Sequence, residues 1–118
     1  MRLLCRCCGK NAAFDAMIDS GNTLRDYLTH LPVIVLPERT AAGVVPLETQ
    51  VLRLIFAQTA GGRQKMTVFT SESIELELDG VRRAVQAVIA LSPQMSEDVP
   101  ALVPASLLGR DWNSNRGG

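Results

Sequence analysis

The apolar and polar positions along the chain follow the pattern of short strands separated by turns. Residues 74–78 alternate apolar and acidic side chains, which is the period of two expected for a strand buried on one face. Residues 32–36 form a β-branched run between two prolines, which also favours a strand. The pattern therefore predicts a mainly all-β chain that ends in one short helix from residue 104 to residue 108. Other predicted strands are residues 3–8, 12–18, 52–57, 65–69, 81–91 and 102–103.

Turn-forming residues separate these segments. Gly9-Lys10-Asn11 predicts a hairpin turn near the start of the chain, and Asp79-Gly80 predicts another in its second half. Ala60-Gly61-Gly62 predicts a hairpin with a glycine-rich tip. Residues 92–100 are polar and predict a loop, whereas the apolar spacing of residues 47–54 suits either a short helix or a strand.

Composition and charge narrow the class of protein. The 118 residues are 47% hydrophobic and 20% charged, which is typical of a single globular domain. We place that domain at residues 1–112 and expect a disordered tail at residues 113–118. The 12 Lys and Arg balance the 12 Asp and Glu, which argues against nucleic acid as a partner. The longest strongly apolar stretch without a charge, residues 84–91, is too short to cross a bilayer.

The three cysteines and the single histidine do not suggest chemistry of their own. Cys5, Cys7 and Cys8 lie too close together to link distant parts of a fold, and thiols in a reducing cytosol explain them most simply. No second cluster and no nearby histidine completes a four-ligand metal set, so we predict no metal and no cofactor. His30 lies in a polar turn and is expected to be solvated.

The segment with the clearest chemical meaning is Asp19-Ser20-Gly21, which directly follows an apolar strand. Such a tripeptide is most often a plain turn in which the aspartate accepts a backbone N–H. Here it also follows a hairpin and precedes a glycine-rich hairpin, two strands and an apolar segment with a short helix. That order resembles one half of a retroviral-type aspartic protease. The resemblance implies a closed retropepsin-like acid-protease β-barrel with a flap hairpin and one short C-terminal helix.

A narrower resemblance covers residues 16–35. Asp19-Ser20-Gly21-Asn22-Thr23-Leu24-Arg25-Asp26, followed by Pro32-Val33, is similar to the Asp-Thr-Gly-Asn-Ser-Leu-x-Asp-Pro segment and Pro-Val of the sporulation sigma-E factor-processing peptidase family. Arg53-Leu54-Ile55 resembles the Arg-Leu-Ile-Pro of that family, and residues 101–108 resemble its C-terminal segment. The chain has Ser20 where the family commonly has threonine, and it has Tyr27 and Phe56 where the family has prolines.

This resemblance implies roles for named residues. Asp19 would be the catalytic aspartate, with Ser20, Gly21 and Asn22 supporting its loop. Ala60, Gly61 and Gly62 would form the flap. An aspartic protease needs two carboxylates that share one proton, and this chain has a single such loop, so the second Asp19 would come from an identical subunit. Asp26 is predicted to be an exposed turn residue.

The resemblance also implies partners and a location. The partners would be a second copy of the chain, a sigma-factor precursor as substrate, and a signalling activator that acts through a membrane domain absent from this sequence. The full-length family would work at the cytoplasmic face of a membrane, and this chain would be a soluble cytoplasmic piece. Two alternatives remain open: a non-catalytic dimeric β-barrel that serves as an interaction domain, and a competent protease that is latent because it is monomeric.

Overall fold

The computed structural model describes residues 1–43, 53–59, 62–69 and 71–109. Within these ranges nine strands form one sheet, accompanied by the short helix α1 (Glu38–Ala42) and a 3-10 helix at Ala105–Leu107. The mainly all-β prediction is therefore confirmed. In chain order the strands are β1 (Arg2–Cys7), β2 (Lys10–Asp19), β3 (Val33–Pro37), β4 (Arg53–Thr59), β5 (Gly62–Phe69), β6 (Ser73–Leu78), β7 (Val81–Ala84), β8 (Val88–Ser92) and β9 (Ala101–Pro104).

The sheet is open, which corrects the expectation of a closed barrel. Its strand order is β4-β5-β8-β3-β9-β2-β1-β6-β7. Closure would require the two edge strands to pair. Among the described residues β4 pairs only with β5, and β7 pairs only with β6.

Strand β2 joins the two parts of the sheet because it changes partner along its length. Residues 10–15 pair antiparallel with β1, and residues 16–19 pair parallel with β9. The β1–β2 turn lies at Cys8 and Gly9, with φ of 52° and 77°, one residue earlier than predicted. Two-residue hairpins of this type need positive φ at both central positions. Asp79 and Gly80 meet the same requirement at the predicted place.

Strands β3 and β8 lie at the centre of the sheet and are buried on both faces. Ile34 and Leu36 face the larger core, which also contains Leu3, Phe14 and Leu76. The other face of β3 belongs to a second core under the β4–β5 hairpin. Burial on both faces explains why β3 is a continuous apolar run rather than an alternating one. The second core consists of Val33, Val35, Ile55, Ala57, Met66, Val68 and Ala90.

Two predicted elements differ from the structure, and one observed element was not predicted. The predicted strand at residues 81–91 is two strands, because β7 pairs with β6 whereas β8 pairs with β3 and β5. Helix α1 was not predicted, and the helix predicted at residues 104–108 is a three-residue 3-10 turn. No helix in the described ranges has the length and apolar character needed to cross a membrane. Residues 47–52 and the predicted tail lie outside the described residues.

Candidate active site

Asp19 is the last residue of β2, where it lies beside Pro104 of β9. The backbone N–H of Gly21 donates to Asp19 Oδ1 at 3.0 Å, and the N–H of Asn22 donates to the Asp19 carbonyl oxygen at 3.0 Å. Local bonds of this kind are what a turn aspartate makes. They hold the carboxylate in one orientation at the end of the strand, and the side chain remains partly exposed. We call residues 19–22 the Asp19 turn.

The Asp19 turn forms one wall of a cleft of about 380 Å³. The opposite wall comes from the β4–β5 hairpin, through Gln58, Gln64 and Met66. Val35 and Leu102 add apolar surface from the central strands. Of the described residues that line the cleft, Asp19 alone is charged. The arrangement therefore presents one carboxylate to a largely apolar groove.

Asn22 ties the Asp19 turn to the centre of the sheet. Its side chain is 9% exposed, and its Nδ2 donates to the carbonyl oxygens of Val33 at 2.9 Å and Leu102 at 3.4 Å. Its Oδ1 accepts from the N–H of Leu24 at 3.1 Å. A buried amide with this many partners fixes the loop that follows Asp19 to both β3 and β9.

Ser20 and Gly21 occupy different surroundings. Ser20 is exposed and lines a separate, smaller cavity of about 160 Å³ beside Pro104 and Ser106, not the cleft that contains Asp19. The φ of Gly21 lies outside the left-handed region, so backbone conformation does not demand glycine there. A Cβ at this position would lie 3.3 Å from Asp19 Oδ1, so an added side chain would require the carboxylate to shift by a few tenths of an ångström.

The predicted flap corresponds to the β4–β5 hairpin. Gly62 is the first residue of β5, lies opposite Thr59 and has a φ of 108°, which favours glycine. Ala60 and Gly61, the other two predicted flap residues, lie outside the described residues.

Asp26 was predicted to be exposed, and this was wrong: its side chain is 0% exposed. Arg53, the first residue of β4, donates from Nη1 to Oδ1 at 2.7 Å and from Nη2 to Oδ2 at 2.6 Å. These hydrogen bonds outweigh the opposing effect of burial and, with a bond from Thr29, hold the pKa of Asp26 well below its usual range. Asp26 and Arg53 both belong to the motifs that carry the family resemblance, and this was the one sequence signal that could have pointed to a structural role for them.

The cysteines and the histidine lie away from this cleft. Cys5 and Cys7 are buried on β1, and Cys8 is exposed at the β1–β2 turn. Burial raises the pKa of the Cys5 thiol to about 12. His30 is exposed, as expected. In the part of the chain that the structure describes, no three His, Cys, Asp or Glu side chains gather into a group able to hold a metal ion.

The fold and the cleft define the class of this chain: an all-β domain that presents one carboxylate in an apolar groove beneath a hairpin. Residues 1–99 match the family Peptidase_U4, described as sporulation factor SpoIIGA. The chain therefore belongs to this family of sporulation-related peptidases, which confirms the resemblance drawn from its motifs. No curated protein and no solved structure matches the chain.

Proposed function

We propose that this chain is an aspartic endopeptidase domain that works as a homodimer and removes the N-terminal pro-segment of a sporulation sigma-factor precursor. The observation that carries the proposal is the position of Asp19, the only charged side chain among the described residues lining the cleft. Family membership supplies the peptidase function. The aspartic mechanism rests on Asp19, because a turn-held carboxylate in an apolar groove is suited to acid–base chemistry.

The homodimer follows from what the chemistry requires. Hydrolysis by this route needs two carboxylates, one to accept a proton and one to donate it. A two-fold symmetric contact would supply the second Asp19 from an identical chain. The side chains that precede Asp19 support a contact here, because Met17 is 47% exposed and Ile18 is 41% exposed. Two large apolar side chains next to the candidate catalytic group are surface that a second copy would cover.

In the proposed reaction, the two Asp19 carboxylates share one proton. The ionised carboxylate takes a proton from water as the water oxygen bonds to the substrate carbonyl carbon, and the protonated one gives its proton to the carbonyl oxygen. The resulting tetrahedral intermediate collapses when the peptide C–N bond breaks. As that bond breaks, the protonated carboxyl gives its proton to the leaving nitrogen, and the ionised carboxylate takes a proton from one hydroxyl of the intermediate, whose carbon becomes the new carboxyl group. The pair therefore finishes the cycle with one proton, as it began.

The substrate would bind as an extended peptide between the Asp19 turn and the β4–β5 hairpin. Val35, Met66 and Leu102 provide apolar surface for substrate side chains. The glycines near the hairpin tip would let it move as the peptide enters and exclude water once it has closed. The precursor of a sporulation sigma factor is the substrate that the family resemblance implies.

The test is cleavage of a pro-sigma precursor by concentrated wild type, by Asp19→Asn and by the control Asp15→Asn. Asp15 is an exposed carboxylate on the same strand, four residues earlier and outside the cleft. We expect Asp19→Asn to lower kcat by at least about 100-fold and Asp15→Asn to match wild type. Equal cleavage by wild type and Asp19→Asn would rule out the proposed mechanism. A dimeric wild type without turnover would favour the interaction domain, and an inactive monomer would favour latency.

A further inference from the structure

The buried ion pair between Asp26 and Arg53 has a more specific geometry than the attraction between two opposite charges requires. Two nearly parallel hydrogen bonds of 2.7 and 2.6 Å join the guanidinium to both carboxylate oxygens. This bidentate arrangement fixes the direction of approach as well as the distance. The Asp26 side chain is 0% exposed and the Arg53 side chain 28% exposed, so solvent screens the pair only weakly.

The segment around Asp26 is rigid through its own bonds. Thr29 Oγ1 donates to Asp26 Oδ2 at 2.7 Å. The backbone N–H of Asp26 donates to the Leu31 carbonyl oxygen at 2.9 Å, and the Asp26 carbonyl oxygen accepts from His30 N–H at 2.7 Å. The backbone around Asp26 therefore keeps its conformation without Arg53, and the Asp26 carboxylate is a fixed anchor for the arginine.

This anchor lies close to the wall of the cleft that contains Asp19. Leu24 lines the cleft, accepts a hydrogen bond at its carbonyl from Val33 N–H at 3.1 Å, and donates its own N–H to the Asn22 side chain. Asp26 is two residues further along the same segment. The Asp19 turn is thus connected to the Asp26 carboxylate, which Arg53 binds, through one hydrogen bond to Leu24 and two residues of backbone.

Arg53 belongs to the β4–β5 hairpin, which forms the opposite wall of the cleft. It is the first residue of β4, and Gln58, further along the same strand, lines the cleft. Strand β4 is an edge strand whose described strand pairing is to β5 alone. The hairpin is joined to the rest of the sheet through residues 67–69 of β5, which pair with β8. The Asp26–Arg53 ion pair gives β4 a polar attachment with a fixed direction, in addition to the apolar packing of Ile55 and Ala57 in the second core.

We infer that the Asp26–Arg53 ion pair is a positioning element that holds the β4–β5 hairpin at a set distance from the Asp19 turn and thereby sets the affinity of the cleft for peptide. The inference rests on the proposed function, because the peptide is the ligand that the cleft would take. Arg53 and Asp26 act through the hairpin and do not touch the reacting atoms.

A role in stability alone makes a different prediction. Buried ion pairs often contribute little more than apolar residues of similar size. If the pair served stability alone, replacing Arg53 would destabilise the whole domain and not the β4–β5 hairpin in particular. A positioning role depends on the planar guanidinium fork, which lysine cannot reproduce although it keeps the charge. Arg53→Lys therefore separates orientation from charge.

The experiment measures amide hydrogen exchange of the β4–β5 hairpin in wild type, Arg53→Gln, Arg53→Lys and the matched control Arg6→Gln. Arg6 lies on β1 and forms an exposed ion pair with Glu72, with 3.3 Å between Arg6 Nε and Glu72 Oε2. We expect Arg53→Gln to speed exchange in the β4–β5 hairpin at least about tenfold more than in the β1–β2 hairpin. Arg53→Lys should have a smaller effect of the same kind. Arg6→Gln should leave exchange in the β4–β5 hairpin unchanged. If Arg53→Gln does not fold, Arg53→Lys decides the question.

Kinetics on the precursor give the second readout. We expect Arg53→Lys to raise KM by at least about fivefold with a smaller change in kcat, since peptide binding weakens more than chemistry. Equal acceleration of exchange in both hairpins, or an unchanged hairpin in folded Arg53 variants, would overturn the inference. Exchange needs no turnover, so it still decides the positioning role if Asp19→Asn proves as active as wild type and the proposed function fails.

Discussion

Asn22 and Val33 are joined by a buried hydrogen bond of 2.9 Å from the side-chain Nδ2 to the backbone carbonyl oxygen. Val33 opens the central strand β3, and Asn22 closes the Asp19 turn, so this bond places the candidate catalytic group against the most buried part of the sheet. The orientation of Asp19 thus depends on the core through an amide three residues away.

Replacing Asn22 with alanine is expected to destabilise the domain by about 1 to 3 kcal/mol, because the Val33 carbonyl and the Leu24 N–H lose a buried partner. Urea denaturation measures the change. The control is Asn11→Ala, an exposed asparagine on β2, for which we expect a change within about 0.5 kcal/mol. Similar midpoints for the two variants would show that the Asn22 bonds contribute little.

Gly21→Ala is expected to lower kcat by roughly tenfold or more with little loss of stability. The added Cβ would lie 3.3 Å from Asp19 Oδ1 and would push the carboxylate out of place. Steady-state kinetics and thermal unfolding provide the two readouts. Gly43→Ala is the control, because its Cβ would have open space and its φ of −87° suits alanine. Unchanged kinetics in Gly21→Ala would contradict the close-approach explanation.

Mixing wild-type and Asp19→Asn subunits tests whether two copies build one active site. If both carboxylates are needed and subunits exchange at random, an equal mixture contains about one quarter wild-type dimers. We expect the activity at fixed total protein to fall with the square of the wild-type fraction. A linear fall, equal to simple dilution of wild type, would indicate that each chain acts alone.

Stability should depend on pH through Asp26. Its pKa in the folded protein lies below the ordinary value of 3.8, because Arg53 and Thr29 hydrogen-bond the charged form. The stabilisation is therefore complete above pH of about 3.8 and declines as the pH falls below it, where the unfolded chain takes up a proton that the folded chain does not.

Asp26→Asn lacks this titration and provides the comparison. We expect wild type to be more stable at pH 7 by about 3 kcal/mol, and this difference to shrink below pH of about 3.8. Urea unfolding between pH 7 and pH 3 measures both curves, and their difference removes the contribution of the other carboxylates. Parallel curves across this range would contradict the lowered pKa.

The three cysteines should differ in their reactivity towards an alkylating reagent. Cys5 is buried with a pKa raised to about 12, and Cys7 is also buried with a raised pKa, whereas Cys8 is exposed. Because the thiolate is the reactive form, iodoacetamide at pH 8 is expected to label Cys8 first and the other two only after unfolding. Mass spectrometry of the labelled chain measures the order. Early labelling of Cys5 would indicate that β1 opens in the native state.

Local sequence was sufficient for several parts of this fold. The alternation at residues 74–78 and the Asp79-Gly80 pair predict β6 and its turn, because side-chain period and positive φ are properties of a few neighbouring residues. The same is true of the hydrogen bonds that Asp19 accepts from Gly21 and Asn22, which span at most three residues. The family was also readable, since its motif is contiguous from Asp19 to Asp26.

Other parts depended on residues far apart in the chain. Asp26 looked like a solvated turn residue because its partner, Arg53, lies 27 positions away. The segment at residues 81–91 looked like one strand because nothing local marks the place where β7 leaves β6 and β8 joins the sheet centre. Strand pairing is a choice among distant partners, and periodicity does not specify which partner is chosen.

By itself, therefore, the sequence determined most of the strands, the tight turns, the family and the one aspartate worth testing. Only the tertiary structure decided that the sheet stays open, that the β4–β5 hairpin faces Asp19 across an apolar cleft, and that Asp26 is buried against Arg53. The physical reason is the range of the forces involved. Backbone sterics and side-chain alternation act between neighbours in the chain, whereas burial and ion pairing act between neighbours in space.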